Sequence, residues 1–157
     1  MKISFWSVGK NNDPYVKQGV EEFTSRISRY FKVEWYIIPG PKNAANLSEM
    51  DLRKKEGETI LEWLDKDDYF VALDEKGKQL SSEGLAVFLQ ARANESTKQL
   101  IFLIGGAYGM DKTVLDRADF TWSLSQLVFP HQLVRLILAE QVYRACTILR
   151  NEKYHHT

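Results

Sequence analysis

Apolar residues run almost without interruption from Ile3 to Val8 and stop at Gly9, the pattern of a strand covered on both faces. Asp13-Pro14 then predicts a helix start, because Asp can cap and Pro at the first helical position surrenders an N–H that needs no partner there. Val16, Val20, Phe23, Ile27 and Tyr30 recur at spacings of four and three and line one face of that helix. Val33 to Ile38 reads as a second strand, closed by Pro39-Gly40-Pro41, and the small polar residues Lys42 to Leu47 read as a surface loop. Ser48 with Asp51 opens a helix to about Leu64, with Leu52, Ile60, Leu61 and Leu64 on its buried side.

The alternation continues to the end of the chain. Tyr69 to Leu73 is a third strand running into a polar turn, Asp74 to Lys78, and Ser81 or Ser82 caps a helix carrying Leu85, Phe88 and Leu89. Leu100 to Ile104 is a fourth strand, followed by Gly105-Gly106-Ala107-Tyr108-Gly109 and a short helix capped by Asp111. Phe120 to Leu124 is a fifth strand, Ser125 to Pro130 a loop, and Leu133 to Leu149 the last helix. Strand and helix alternate without repeats or linkers, which predicts one three-layer α/β domain with a mostly parallel sheet. Ligands of such sheets bind beyond the carboxyl ends of the strands, so the turns after Leu73, Ile104 and Leu124 are expected to meet.

Composition narrows the setting. The chain of 157 residues is 44% hydrophobic and 27% charged, and no apolar run approaches the roughly 20 residues that span a bilayer. MKISFWSVGK has no small-residue cleavage site after its apolar run, so it is read as a first strand in a soluble protein. The single Cys146 permits no intrachain disulfide and suits a cytoplasmic protein, its thiol acting as a small core residue. Twenty-one basic residues balance 21 acidic ones, whereas a free-standing binder of naked nucleic acid is usually more basic. From His131 onward, however, four Lys/Arg face two Glu, and all three histidines lie there, enough for a modest basic face that dimerisation would double.

The motifs exclude more than they assign. The glycine turn lacks the first Gly of a dinucleotide fingerprint, where Ile104 stands, and lacks the Gly-Lys-Ser/Thr of a Walker loop, where Met110-Asp111-Lys112 stands. What it allows is a tight strand-to-helix turn, or one on which a flat uncharged ligand such as an adenosine moiety lies against the backbone. Ser123 to Pro130 mixes apolar bulk with free backbone groups, and Pro130 keeps it from extending the ladder. His131, Arg135, Glu140 and Arg144 fall at the start and along the polar side of the last helix; Glu140 and Arg144 alone would be a surface ion pair contributing about 0.3–0.5 kcal/mol. The histidines have no metal-ligand spacing, and no Gly-x-Ser-x-Gly elbow is present. The tail from Asn151 is expected to fray, although Tyr and His beside Arg and Lys also suit an exposed RNA base.

Three stretches together, LIGGAYG, WSLSQLVFPHQLVRLILAEQVYRA and the terminal KYHH, resemble the ribosomal RNA large-subunit methyltransferase H family, within the SPOUT superfamily. The likeness extends over essentially the whole chain, including MKISFWSVGK and LDEKGKQLSSEGLA, and is looser between Lys10 and Leu64. It implies a C-terminal deep trefoil knot, which general chain topology argues against. It implies a homodimer with cofactor pockets near the subunit interface, and transfer of a methyl group from S-adenosylmethionine to N3 of a pseudouridine in large-subunit ribosomal RNA. The implied cofactor contacts are Leu73, Gly105, Leu124, Ser125, Gln126, Leu127, Val128 and Phe129, and the implied catalytic or RNA-facing residues are His131, Arg144, Tyr154 and His155. The sulfonium methyl is already electrophilic, so no metal is expected, and the protein's task is alignment and handling of the N3 proton. On that reading Arg144 stabilises charge on the flanking carbonyls, His131 or His155 takes the proton, and Tyr154 orients the base. Zero net charge favours the assembled ribosome over naked RNA as substrate. An oxidoreductase or a non-catalytic ribosome-assembly factor would be the other classes open to such a chain.

Overall fold

A computed structural model describes residues 1–156. Its elements follow in the order β1 (Lys2–Val8), α1 (Pro14–Ile27), β2 (Lys32–Ile38), α2 (Glu49–Trp63), β3 (Tyr69–Gln79), α3 (Ser82–Asn94), β4 (Gln99–Ile104), α4 (Lys112–Arg117), β5 (Phe120–Ser123) and α5 (His131–Leu149). A single 3₁₀ turn, Ala44–Asn46, lies in the loop before α2. The five strands form one sheet in the order β2-β1-β4-β3-β5, and all of its pairings are parallel.

The near-continuous apolar strands are explained by the two cores they separate. Ile3, Phe5, Val71, Leu100 and Phe102 face one layer together with Leu85, Leu89, Leu138 and Val142, so α1, α3 and α5 cover that side. Trp6, Val8, Phe70, Ala72, Ile101 and Leu103 face the other with Ile60 and Val114, under α2 and α4. The layered α/β architecture is therefore the one the pattern predicts. Of the apolar side predicted for α2, Ile60 is buried, whereas Leu52, Leu61 and Leu64 are half-buried.

Local chemistry sets the element ends. Ser48 accepts from the Asp51 N–H, Ser81 from Gly84, and Asp111 from Thr113, three side-chain caps that each satisfy an orphan donor. Asp13 occupies the cap position of α1 without a capping bond; its own N–H donates to Gln132 Oε1 at 2.9 Å instead. The last helix begins at His131, two residues before the apolar periodicity does, with Pro130 ahead of it.

The predicted turn at Asp74–Lys78 is an interruption within one long strand. β3 pairs Leu73 with Trp122 and then, five residues on, Lys78 with Trp122 again, so the four residues Asp74 to Gly77 bulge out while the strand continues. Gly77 makes this possible: a Cβ there would lie 2.7 Å from the backbone of Thr121 and Trp122. The bulge thus begins where β3 parts from β4, just past the pairing of Leu73 with Ile104.

Candidate functional site

The carboxyl ends of β3, β4 and β5 open into a cavity of about 760 Å³. Leu73 and the bulge residues Asp74, Glu75 and Lys76 form one wall, and Ile104 with the Gly105–Asp111 segment forms another. Trp122 to Ser125, then Leu127 to Phe129, close the third side, and His131 and Val134 bring in the start of α5. The three turns expected to meet do meet. The glycine segment folds back on itself, Gly109 donating to the Gly106 carbonyl at 3.1 Å with φ +83° at Gly109, a conformation that favours glycine. Met110 packs beneath it, 2.9 Å from where a Gly105 Cβ would stand.

Seven of the eight residues expected to contact a cofactor line this cavity: Leu73, Gly105, Leu124, Ser125, Leu127, Val128 and Phe129. Gln126 belongs to the same loop but is exposed and does not line it. Ser123 and Ser125 set the loop's course, Ser123 Oγ donating to the Ser125 carbonyl and Ser125 Oγ accepting the Leu127 N–H, both at 3.0 Å. Leu127 and Val128 are left 71% and 83% exposed, apolar surface at the cavity rim. Met50 and Arg53 of α2 also reach the cavity, in a stretch where the sequence pattern showed only an amphipathic helix.

His131 lies in this cavity wall, but Arg144, Tyr154 and His155 do not; they form a second cluster farther down α5. Thirteen residues of α-helix separate His131 from Arg144, about 20 Å along the axis. In the second cluster Glu140 Oε1 accepts three bonds, from Arg144 Nε at 3.0 Å, Arg144 Nη2 at 2.6 Å and the Tyr154 hydroxyl at 3.0 Å. Glu140 Oε2 accepts from Gln141, whose Oε1 accepts from Ser82. The Arg144 guanidinium lies 4.7 Å from the Tyr154 ring centre, and Tyr143 packs edge-on against the same ring. Burial, then the Glu140 carboxylate, push the Tyr154 hydroxyl above its ordinary range, so it remains a donor.

His155 completes the cluster, with Nδ1 3.2 Å from Arg144 Nη1 and Nε2 2.7 Å from Glu83 Oε1. The tail therefore docks instead of fraying: besides these contacts, Tyr30 donates to Glu152 Oε2 at 2.7 Å. The basic face expected after His131 is correspondingly smaller. Arg135 is not on the polar side of α5 but buried, donating to Ser7 Oγ and Asn12 Oδ1, and Arg144 is ion-paired and half-buried. Cys146 is buried, as expected of a small core residue, and burial pushes its thiol up to about 12. Among the described residues no group of three His, Cys, Asp or Glu is placed to hold a metal ion. No helix is long and apolar enough to cross a membrane, again among the described residues.

Residues 1–155 match the family described as predicted SPOUT methyltransferase. The chain belongs to the SPOUT methyltransferase family. Curated relatives called ribosomal RNA large subunit methyltransferase H are similar along almost all of it. The proteins of Cytophaga hutchinsonii and Christiangramia forsetii are 44% and 45% identical, over 99% of this chain and 100% and 99% of theirs. That of Flavobacterium johnsoniae is 44% identical, over 99% of each. With family membership goes the knotted α/β fold. The lining of the cavity suits a nucleoside-bearing group: Leu73, Ile104, Leu115, Leu124 and Val134 offer apolar walls, the glycine turn offers close backbone approach, and Trp122 keeps a buried indole N–H without a protein partner among the described residues.

Proposed function

We propose that this SPOUT methyltransferase transfers the methyl group of S-adenosylmethionine to N3 of a pseudouridine in large-subunit ribosomal RNA, on the assembled ribosome and as a homodimer. The observation that carries the reading is the cavity at the ends of β3, β4 and β5, in a chain similar end to end to methyltransferases named for that RNA. Leu73, Gly105 and the loop Leu124–Phe129 would hold the donor, with Gln126 contributing through its backbone. S-adenosylmethionine supplies an electrophilic methyl group; the chain's own groups align the acceptor and manage its proton.

The second cluster fits the acceptor side. Arg144 uses Nε, one N–H of Nη2 and one of Nη1 on Glu140 and His155, leaving two of its five N–H donors for the carbonyl oxygens beside N3 as negative charge develops there. Tyr154, fixed by Glu140 and Tyr143, offers an aromatic surface beside it. Both ring nitrogens of His155 are engaged, so His131, which lines the cavity and has no side-chain hydrogen bond among the described residues, is the better candidate to receive the proton.

The separation of about 20 Å between cavity and cluster along one helix supports the dimer. One chain's Arg144 cannot reach a methyl group in its own cavity, whereas a second copy can bring its cluster there and bury Leu127 and Val128. The test is incubation of ribosomes from a strain lacking this methylation with the protein and labelled donor, followed by mapping of the modified nucleotide. Label at N3 of one large-subunit pseudouridine is expected, with little on protein-free RNA. Absence of label in the ribosome, or efficient labelling of an isolated hairpin, would overturn the corresponding part of the reading.

A further inference from the structure

The N-terminus of α3 lies outside the cavity, yet it carries two side chains wired into the Arg144 cluster. Ser82 reaches Glu140 through Gln141, and Glu83 reaches Arg144 through His155. The second connection has a definite protonation logic. Arg144 Nη1 is always a donor, so His155 Nδ1 at 3.2 Å serves as a partner only as a bare lone pair. The ring proton then sits on Nε2, where it donates to Glu83 Oε1 at 2.7 Å. An imidazolium would satisfy Glu83 as well but would turn an N–H toward Arg144 and break that contact.

We propose that Glu83 is a positioning residue: it fixes the ring proton of His155 on Nε2, so that His155 Nδ1 accepts from Arg144 and orients its guanidinium toward the acceptor base. Two features of the site agree with this. The His155 side chain is only 15% exposed, although it follows a short polar tail, and Glu83 is the acid facing its Nε2. Hydrogen bonding to His155 holds the Glu83 carboxyl below its ordinary range, so it is an anion and an acceptor at neutral pH. The plain alternative is that Glu83 merely complements the amino end of α3, where acids are favourable. That role would not extend to the ring protonation of a histidine 72 residues away.

The proposal rests on the methyltransfer reading for its kinetic consequence only. In the full-length protein, long-range proton–nitrogen NMR of His155 at neutral pH is expected to show the Nε2–H tautomer. Glu83→Gln, whose amide oxygen still accepts, should keep that tautomer, and Glu83→Ala should lose it. Single-turnover methyl transfer to ribosomes should fall roughly tenfold or more in Glu83→Ala, recover in Glu83→Gln, and leave donor affinity unchanged, because Glu83 does not line the cavity. A wild-type tautomer signature in Glu83→Ala, or an imidazolium in the unmodified protein, would overturn the proposal. So would a transfer rate unaffected by Glu83→Ala. If the unmodified protein transfers no methyl group at all, the function fails while the NMR comparison still decides the positioning claim.

Discussion

Arg135 donates through Nε to Ser7 Oγ at 2.8 Å, joining the first turns of α5 to the carboxyl end of β1. The guanidinium also donates from Nη1 to Asn12 Oδ1 at 3.0 Å, and burial lowers its pKa from the ordinary value. This buried charge, hydrogen-bonded to two neutral side chains, holds the β1–α1 loop against the helix that lines the cavity. Arg135→Ala removes a fully buried side chain and leaves Ser7 and Asn12 without this donor. A loss of about 2–4 kcal/mol is expected in urea unfolding at fixed protein concentration. A loss well under 1 kcal/mol would show that the contact is dispensable.

Gly77 sits where β3 closes again on β5. A Cβ at 2.7 Å from Thr121 and Trp122 meets backbone, which has little room to yield. Gly77→Ala should therefore destabilise by about 1–3 kcal/mol in thermal unfolding and weaken donor binding in calorimetry, because the bulge forms a cavity wall. Gly106→Ala is a useful contrast. The atoms nearest its Cβ would be those of the Glu56 carboxylate, a flexible side-chain end, so its cost should be smaller.

Glu140 gathers Arg144 and Tyr154 onto one oxygen. Glu140→Ala should leave donor affinity intact, since Glu140 does not line the cavity, while single-turnover transfer drops by about a hundredfold as Arg144 loses its orientation. Tyr154→Phe keeps the ring under the guanidinium and loses only the hydroxyl bond, so its effect should be milder.

If cavity and cluster serve one another across subunits, two inactive variants can complement. Gly105→Val obstructs one half and Glu140→Ala the other. An equimolar mixture, exchanged through denaturant, should regain about a quarter of the unmodified activity, because half of the random dimers each hold one intact pairing. No recovery despite heterodimer formation would place both halves in one chain.

At high pH two groups act in the same direction. Burial raises the Cys146 thiol from 9.0 to about 12, and burial with the Glu152 bond raises the Tyr30 hydroxyl from 10.0 to about 12. Raised folded-state values mean that the unfolded chain loses these protons first. Their contribution is thus complete below about pH 9 and declines progressively toward pH 12. Denaturant titrations across that range should show the decline, and Cys146 should resist alkylation until the chain unfolds.

The layered fold was legible because the strands are largely apolar runs and the helices carry caps or periodicity, as at Ser48 and Ile60. The cavity was legible from the convergence of strand ends. Other features depend on partners remote in sequence. Arg135 reads as a surface residue until Ser7 and Asn12 are beside it, and Glu83 reads as an ordinary helix-start acid until the tail brings His155 to it. Asp74 to Gly77 reads as a turn because nothing local announces that β5 will accept the same strand a second time. The tail was misjudged for a related reason: it has no core of its own, and Glu152, Tyr154 and His155 are held by Tyr30 in the turn after α1, by Glu140 of α5 and by Glu83 of α3.

The parallel sheet has a bearing on how such a chain is made. β1 pairs with β4, and β3 with β5, all in parallel, so no local hairpin can start the sheet. β1 can pair early with β2, but the cavity walls come from segments as far apart as Met50 and Val134, so the pocket is complete only after the start of α5 has joined the sheet.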